Sequence, residues 1–212
     1  MISYTITVCN EDIELDRLLT MLSDNIQEDD EIILQMDSMA TTSAVRAVID
    51  SHRIRIPNLK VVEYPLDQNF AQFKNNLKSH CTKPWIFNID ADELPSAILI
   101  ENLHDILEAN PNIDIISVPR WNTVEGITRE HIINWNWHVD VEGRINWPDY
   151  QTRLYQNKHN IVWVNKVHER LSGHDSESHL PSEEEYCLYH LKTIQRQEKQ
   201  NDFYENIIKG QR

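Results

Sequence analysis

The chain has 212 residues, of which 40% are hydrophobic and 25% are charged, and its formal net charge at pH 7 is −14. This length suits one substantial domain, and the composition is that of a globular protein, which excludes an intrinsically disordered chain. The acidic balance excludes a nucleic-acid binder, because such a protein needs a basic face to displace counterions from phosphates. An anionic ligand would need local positive charge from Lys, Arg or a metal ion.

The cysteines and the apolar segments indicate the cellular compartment of the protein. Cys9, Cys81 and Cys187 are far apart and odd in number, which is typical of a reducing compartment and not of a disulfide framework or a zinc site. The first residues do not resemble a signal peptide, and no stretch is apolar for long enough to span a bilayer. We therefore expect a cytoplasmic protein, and peripheral association with the inner face of the membrane stays open.

Strand-like and helix-like segments alternate through residues 1–118. We predict strands over 3–8, 31–36, 59–64, 85–89 and 113–118. Helices are predicted between them because apolar residues recur there at helical spacing: Leu15, Leu18, Leu19, Leu22 and Ile26; Val45, Val48 and Ile49; Phe70, Phe73 and Leu77; and Ile98, Leu99, Leu103, Ile106 and Leu107. Pro95 suits the first turn of the last of these helices.

This alternation predicts an α/β fold of the Rossmann-like kind. Its sheet should be mostly parallel with helices on both faces, because parallel neighbours need crossover helices. Ligands of such sheets bind at the carboxyl ends of the strands. Residues 1–118 are therefore interpreted as a nucleotide-binding half.

The regular alternation stops after Pro119. Residues 120–150 hold four of the six tryptophans, namely Trp121, Trp135, Trp137 and Trp147. Residues 150–156 and 160–171 are predicted as antiparallel strands, and 193–210 as a helix with an apolar edge of Phe203, Ile207 and Ile208. We expect 119–212 to be a small mixed region of the same single domain, which folds over the strand ends and shapes a second binding region.

An acidic cluster, Asp90, Asp92 and Glu93, follows the fourth predicted strand. Carboxylates this close repel one another unless a cation lies between them. Mg²⁺ and Mn²⁺ take oxygen ligands, usually one or two carboxylates together with substrate phosphates and waters. Metal binding is therefore the favoured interpretation, and the alternative is a solvated loop in which Glu93 stabilises the start of the next helix.

The stretch WIFNIDADE (85–93) resembles the Asp-x-Asp-Glu strand end of GT-A glycosyltransferases of the family-2 type. Residues 7–22, 31–42 and 69–93 are similar to consecutive segments of the same family, and 149–171 resembles the segment that ends in a His-Glu pair in bacterial lipopolysaccharide and capsule transferases. The resemblance covers about residues 3–172. It implies transfer of a sugar from a nucleotide diphosphate donor, with inversion, to a glycan or lipid-linked glycan acceptor, and Mn²⁺ or Mg²⁺ as cofactor.

The resemblance also implies roles for individual residues. The residues expected to bind the donor are Asp37 at the base, and Lys74, Asn75, Asp90, Glu93 and Arg153 at the ribose, diphosphate and sugar. Asp92, Asp90 and His190 are the expected metal ligands, and residues 119–212 form the acceptor side. Glu169 is the expected catalytic base, with His168 beside it to orient the acceptor or bind metal. Neighbours on a strand point to opposite faces, so both side chains can enter one pocket only from a loop or bulge.

Each of these residues also has a purely structural interpretation. Asp37 could be a turn residue, Lys74 a solvated lysine, and Arg153 an anchor of its strand. His190 could be a structural histidine, and the tryptophans could fill a core and not stack on a sugar.

Two other functions remain open. One is a degenerate transferase domain that binds sugars or partners without catalysis. The other is a nucleotidyltransferase, which shares the sheet and the metal-binding carboxylates but usually carries a Gly-rich loop after the first strand. Here the corresponding stretch, VCNEDIE (8–14), contains no glycine.

Overall fold

A computed structural model of the chain describes residues 1–210, with side chains as far as Ile207, so the apolar role expected for Ile208 lies outside the described residues. The helices are α1 (Asp12–Asn25), α2 (Ser43–Arg55), α3 (Phe70–Lys78), α4 (Ala97–Ala109), α5 (Arg129–Asn134) and α6 (Ile194–Gly210), with a 3₁₀ turn at Glu184–Tyr186. The strands are β1 (Ile2–Val8), β2 (Glu31–Asp37), β3 (Leu59–Tyr64), β4 (Trp85–Asp90), β5 (Leu94–Pro95), β6 (Ile115–Val118), β7 (Arg120–Glu125), β8 (Gln151–Gln156), β9 (Val162–Val164), β10 (Arg170–Ser172), β11 (Glu177–His179) and β12 (Leu188–Thr193).

The main sheet has seven strands in the order β11-β6-β8-β4-β1-β2-β3. Strands β1 to β4 are parallel, whereas β8 is antiparallel to both of its neighbours, β4 and β6. The prediction of an α/β fold with a mostly parallel sheet flanked by helices is confirmed. Because β1, β2 and β4 are covered on both faces, nearly every residue in them is buried.

Helix packing follows the predicted apolar periodicity with two corrections, one in α4 and one at Phe203 of α6, whose side chain is 45% exposed. In α4 the predicted stripe included Ile98, but its side chain is 44% exposed, and Ile100 is buried instead beside Leu99 and Leu103. The Ser96 hydroxyl caps the start of this helix by accepting from the Leu99 N–H at 3.0 Å. This cap fixes where the first turn begins and therefore which residues face the sheet.

The prediction of one strand over 160–171 is wrong. The structure has two short antiparallel strands there, β9 and β10, joined by residues 165–169. Asn165 and His168 in this connection have φ values of 74° and 53°. Such left-handed backbone cannot continue a strand, so the chain leaves the sheet as a loop.

The strand order reverses between β1 and β4, since β2 and β3 lie on one side of this pair and β8 on the other. Open α/β sheets bind ligands at such a point, beyond the carboxyl ends of the strands. In the register of the pair, Thr7 of β1 lies opposite Asp90 of β4. A smaller sheet joins β5, which follows the acidic cluster, to β12 and β7 from the second half of the chain. Of the helices described, none combines the length and the apolar character that crossing a membrane requires.

Adjacent residues of α4 allow a matched test of the core. Leu99→Ala should lower the free energy of unfolding by about 2–5 kcal/mol, because Leu99 is fully buried and its loss leaves a cavity. Ile98→Ala should change it much less, because that side chain is largely exposed. Urea denaturation followed by circular dichroism measures both, and equal losses would show that the face of α4 is assigned incorrectly.

Candidate active site

The acidic cluster lies in a tight turn immediately after β4. The Glu93 N–H donates to the Asp90 carbonyl at 2.9 Å, and the Asp90 N–H donates to Glu93 Oε2 at 3.3 Å. The Thr7 hydroxyl donates to Asp90 Oδ1 at 3.2 Å across the β1–β4 pair. Because the chain turns here, the three carboxylates of the cluster have different partners.

Asp90 is held by two cations. Lys74 Nζ lies 3.2 Å from its Oδ1, and Arg153 Nη2 lies 2.6 Å from its Oδ2. Burial alone would raise the pKa of the Asp90 carboxyl, but the charges of Arg153 and Lys74 outweigh it and hold the pKa well below its usual range. Asp90 is therefore ionised and firmly oriented.

Glu93 lies behind the wall of the site. It is 1% exposed, and its Oε1 contacts Arg153 at 2.5 Å and Arg120 at 3.1 Å. Arg120 continues the chain of ion pairs to Asp149 at 2.8 Å. These buried contacts support Arg153 and Arg120, and they turn the Glu93 carboxylate away from the open cavity.

Asp92 faces a group of basic side chains from the end of the chain. Its Oδ2 lies 3.3 Å from His190 Nε2, 3.5 Å from Arg196 Nη2 and 3.6 Å from Lys192 Nζ. Burial would raise the pKa of Asp92, but His190, Lys192 and Arg196 together hold it well below its usual range. The expected pairing of Asp92 with His190 is therefore present in the geometry.

The hydrogen bonds of His190 define its tautomer. Asn122 Nδ2 donates to Asp149, so its Oδ1 accepts, and that oxygen lies 2.5 Å from His190 Nδ1. Burial lowers the pKa of His190 despite the nearby Asp92 carboxylate, which favours the neutral ring. Nε2 lies 3.3 Å from Asp92 Oδ2 and can donate to it, whereas in a neutral ring that donates through Nδ1 this nitrogen would instead carry the lone pair that a cation binds.

His190 Nε2 and Asp92 Oδ2 are 3.3 Å apart, which is less than two metal–ligand distances of about 2.1 Å, so a divalent cation would bind both from the cavity side and not on the line between them. Within the described residues, no three His, Cys, Asp or Glu side chains form a group that could hold a metal ion. A cation at Asp92 and His190 would thus have two protein ligands and would take the others from the donor diphosphate and water, the arrangement that Mg²⁺ and Mn²⁺ sites often show.

The loop between β9 and β10 brings His168 and Glu169 to the same cavity as Asp90 and Asp92, which the predicted strand could not do without a loop or bulge. Glu169 Oε1 forms an ion pair with Lys74 Nζ at 2.8 Å. The His168 ring lies 5.7 Å from the ring of Tyr204 in α6. The left-handed backbone of His168 turns the chain so that the side chains of His168 and Glu169 both reach the site.

Two connected cavities occupy the strand ends. The larger, about 430 Å³, is lined by Asp90, Asp92, Arg153, Glu169 and His190, among others. The smaller, about 170 Å³, lies at the ends of β1 and β2 and is lined by Asp37, Phe70 and Lys74. Asp90, Asp92, Glu169, Gln200 and Tyr204 line both. The predicted site residues other than Asn75 are thus brought together, with Glu93 behind them.

Asp37 and Asn75 differ in whether their hydrogen bonds to the backbone leave the side chain at a cavity. Asp37 Oδ1 accepts from the N–H groups of Met39 and Leu66 at 3.1 and 3.2 Å, which holds its carboxylate at the smaller cavity. The Asn75 amide donates to the Trp163 carbonyl at 2.8 Å and accepts from the Trp163 N–H at 2.9 Å. Asn75 therefore joins α3 to β9, and the structure does not bring it into the cavities.

Sequence reasoning missed three basic residues of the site, Arg120, Lys192 and Arg196. Lys192 follows His190 by two positions in β12, so a strand pattern places both on one face. This spacing could have identified Lys192 once 188–193 was recognised as a strand. Arg196 lies in the first turn of α6, and no local signal marks it as a neighbour of Asp92.

Comparison with known proteins identifies the family of the chain. The family model described as Glycosyl transferase family 2 matches residues 3–171. The chain therefore belongs to glycosyl transferase family 2, and the resemblance found in its motifs is confirmed. No protein of curated function matches the chain.

The solved structures of TarS have a similar fold. S. aureus TarS 1–349 in complex with UDP-GlcNAc matches with a TM-score of 0.64 at 14% identity, over 90% of this chain and 58% of that one. A longer TarS structure matches with a TM-score of 0.62 at 14% identity, over 91% of this chain and 36% of that one. A mannosyltransferase of Pyrobaculum calidifontis with GDP-Man and Mn²⁺ matches with a TM-score of 0.49 at 18% identity, over 56% and 35% of the two chains. This chain spans less than two thirds of the length of each TarS structure.

The buried contacts of Glu93 generate a stability prediction. Glu93→Gln should lower the free energy of unfolding by about 3 kcal/mol or more, because it leaves Arg153 and Arg120 buried with one counter-ion fewer. Glu63→Gln is the matched control, since Glu63 forms an exposed ion pair with Arg46 at 2.7 Å and should matter much less. Urea denaturation compares the two variants, and similar losses would contradict the structural role of Glu93.

Proposed function

We propose that this chain transfers a sugar from a nucleoside diphosphate donor to a hydroxyl of a glycan or lipid-linked glycan, with inversion and with a divalent cation. The observation that carries the proposal is the convergence of Asp90, Asp92, His190 and Glu169 on one cavity at the strand ends of a family-2 fold. TarS, whose fold is similar, forms a complex with UDP-GlcNAc. That donor class suits the cavities of this chain.

The smaller cavity is assigned to the nucleoside of the donor. Asp37 lies at the end of β2 with one carboxylate oxygen already anchored to two backbone N–H groups. Its other oxygen is then suited to accept a hydrogen bond from a base N–H. Asp90 lines both cavities, so the ribose and diphosphate are assigned to the passage between them. Phe70 supplies an aromatic wall to the nucleoside side.

Asp92 and His190 are assigned as the two protein ligands of the cation. When bound, the cation supplies positive charge that stabilises the diphosphate as it leaves. Asn122 fixes the His190 ring by accepting from Nδ1, so that Nε2 keeps its lone pair for the site. Support for this assignment is the facing geometry of the two ligand atoms.

Glu169 is assigned as the base that accepts the proton of the attacking acceptor hydroxyl. An inverting transfer needs such a group on the side of the anomeric carbon opposite the leaving group. Lys74 binds Glu169 Oε1 at 2.8 Å, which orients the carboxylate and leaves the second oxygen for the acceptor. His168 precedes Glu169 in the loop and is assigned to orient the acceptor.

A third cavity, also of about 430 Å³, supports the binding of a carbohydrate on the acceptor side. It is lined by Trp135, Trp137, His168, Asn201 and Tyr204, among others, and it shares Trp137, His168 and Tyr204 with the main cavity. The rings of Trp135 and Trp137 are half-buried, with centroids 4.7 Å apart. Aromatic rings held firmly and partly exposed can pack on the apolar face of a sugar.

Calorimetric titration tests the proposed function. UDP and GDP are titrated into the protein, each with Mn²⁺ and with EDTA, and release of nucleoside diphosphate from nucleotide sugars is then measured. Metal-dependent binding of one nucleotide together with turnover supports the transferase. Binding without turnover on any donor would favour a degenerate sugar-binding domain, and binding of neither nucleotide would overturn the proposed donor site.

Asp92→Asn should remove the Mn²⁺-dependent gain in nucleotide affinity, by about tenfold or more, because an amide is a poor ligand for the cation. Asp105→Asn makes the same change at an exposed position of α4 and should leave affinity unchanged. The same titration measures both variants. Retention of the full Mn²⁺ effect in Asp92→Asn would remove Asp92 from the metal site.

Glu169→Gln should preserve donor binding and reduce the transfer rate by about 10²–10⁴-fold, because glutamine cannot accept the proton of the acceptor hydroxyl. Glu177→Gln, at an exposed position of β11, is the control for loss of a carboxylate. Steady-state release of nucleoside diphosphate in the presence of acceptor reports the rate. A normal rate in Glu169→Gln would assign the base to another residue.

A further inference from the structure

Two buried lysines line the site, and they differ in how their charges are compensated. Lys74 Nζ has two carboxylate partners, Asp90 at 3.2 Å and Glu169 at 2.8 Å, and it also lies 4.8 Å from the centre of the Trp163 ring. A buried ammonium with two counter-ions gains little from a further anion. Lys74 is thus saturated by the protein itself.

Lys192 has no carboxylate of its own. It is 7% exposed, and its Nζ donates to the neutral Gln200 Oε1 at 2.5 Å. In the part of the chain that the structure describes, Asp92 is the only carboxylate within 4.0 Å of this nitrogen, at 3.6 Å. A contact of that length is too long for a strong hydrogen bond.

Asp92 is moreover shared among several groups. Its Oδ2 also faces His190 and Arg196, at 3.3 and 3.5 Å. Arg196 has two further carboxylates, Glu14 at 2.5 Å and Glu11 at 3.3 Å. Lys192 and Arg196 are the two basic side chains near Asp92 besides His190. Lys192 therefore depends on this single shared carboxylate, whereas Arg196 does not.

A buried cation with an incomplete set of partners is costly unless a ligand completes it. Lys192 opens on the main cavity together with Asp90 and Asp92, so an anion in that cavity would meet its ammonium group. We propose that Lys192, and not Lys74, is the lysine that binds the diphosphate of the donor. This inference rests on the proposed function and adds to it the group that recognises the phosphates.

A binding experiment without metal isolates this role. UDP, GDP and inorganic pyrophosphate are titrated in EDTA into the wild type, Lys192→Met, Lys192→Arg and Lys74→Met, with uridine and guanosine as phosphate-free ligands. Lys199→Met, at an exposed position of α6, is the control for loss of a lysine charge.

Lys192→Met should weaken binding of the nucleoside diphosphate and of pyrophosphate about tenfold or more, because a charge-assisted hydrogen bond is lost. Binding of the nucleoside should be unchanged, and Lys192→Arg should recover part of the loss. Lys74→Met should lower the thermal midpoint of unfolding, since it removes the counter-ion of two carboxylates. It should weaken diphosphate binding less than Lys192→Met does.

Three outcomes would overturn the inference. Unchanged diphosphate affinity in Lys192→Met removes Lys192 from the site, and an equal loss for uridine or guanosine assigns it a structural role. A loss confined to Lys74→Met returns the phosphate contact to Lys74. If Lys192→Met does not fold, Lys192→Gln replaces it under the same criteria. If the wild type binds a nucleoside diphosphate with Mn²⁺ but not in EDTA, the variants are compared in Mn²⁺ under the same criteria. Failure of the wild type to bind either nucleoside diphosphate even with Mn²⁺ would overturn the proposed function itself, which is a different result.

Discussion

The buried Arg153 guanidinium is the interaction on which the site depends. It extends from the antiparallel strand β8 to Asp90 and Glu93, at 2.6 and 2.5 Å, and so joins the second half of the chain to the end of β4. A buried arginine is tolerated only when carboxylates compensate it, and buried carboxylates need a cation in return. The acidic motif can therefore adopt its geometry only when β8 has taken its place between β4 and β6. The geometry of the site therefore depends on the order of the strands.

The same constraint divides the three carboxylates among different environments. Glu93 points inwards to two arginines, Asp90 bridges Lys74 and Arg153 at the rim, and Asp92 faces the basic residues of β12 and α6. A motif of four residues thus provides an internal support, an oriented rim group and a group facing the ligand space. The tight turn after β4 causes this division, because it reverses the chain within three residues and prevents the carboxylates from sharing one face.

Much of this arrangement could be predicted from the sequence, and the exceptions have a common cause. Strands β1 to β4 were predicted to within a residue, and for β1, β2 and β4 the reason is that buried parallel strands are short apolar runs, which is a local property. The acidic residues after β4 could be placed at the strand ends for the same reason. The loop after β9 could not be predicted from the sequence. It depends on left-handed backbone at Asn165 and His168. It also depends on a hydrogen bond from the Phe70 N–H to the Lys166 carbonyl, at 2.9 Å. Arg196 was missed because its approach to Asp92 is set by how α6 packs, not by its own neighbours in the chain.

A chain with a net charge of −14 should repel an anionic donor, yet its cavities suit one. The ion pairs of the site resolve this conflict. Its basic side chains Lys74, Arg120, Arg153, Lys192 and Arg196 face the carboxylates Asp90, Asp92, Glu93, Asp149 and Glu169, and Arg196 also pairs with Glu11 and Glu14. Most of the positive charge is thus already compensated, and Lys192, which has one shared carboxylate at 3.6 Å, is the least compensated of these side chains. Under the proposed function, Lys192 and a divalent cation that arrives with the donor would together compensate the charge of the diphosphate, and the buried ion pairs would not need to rearrange.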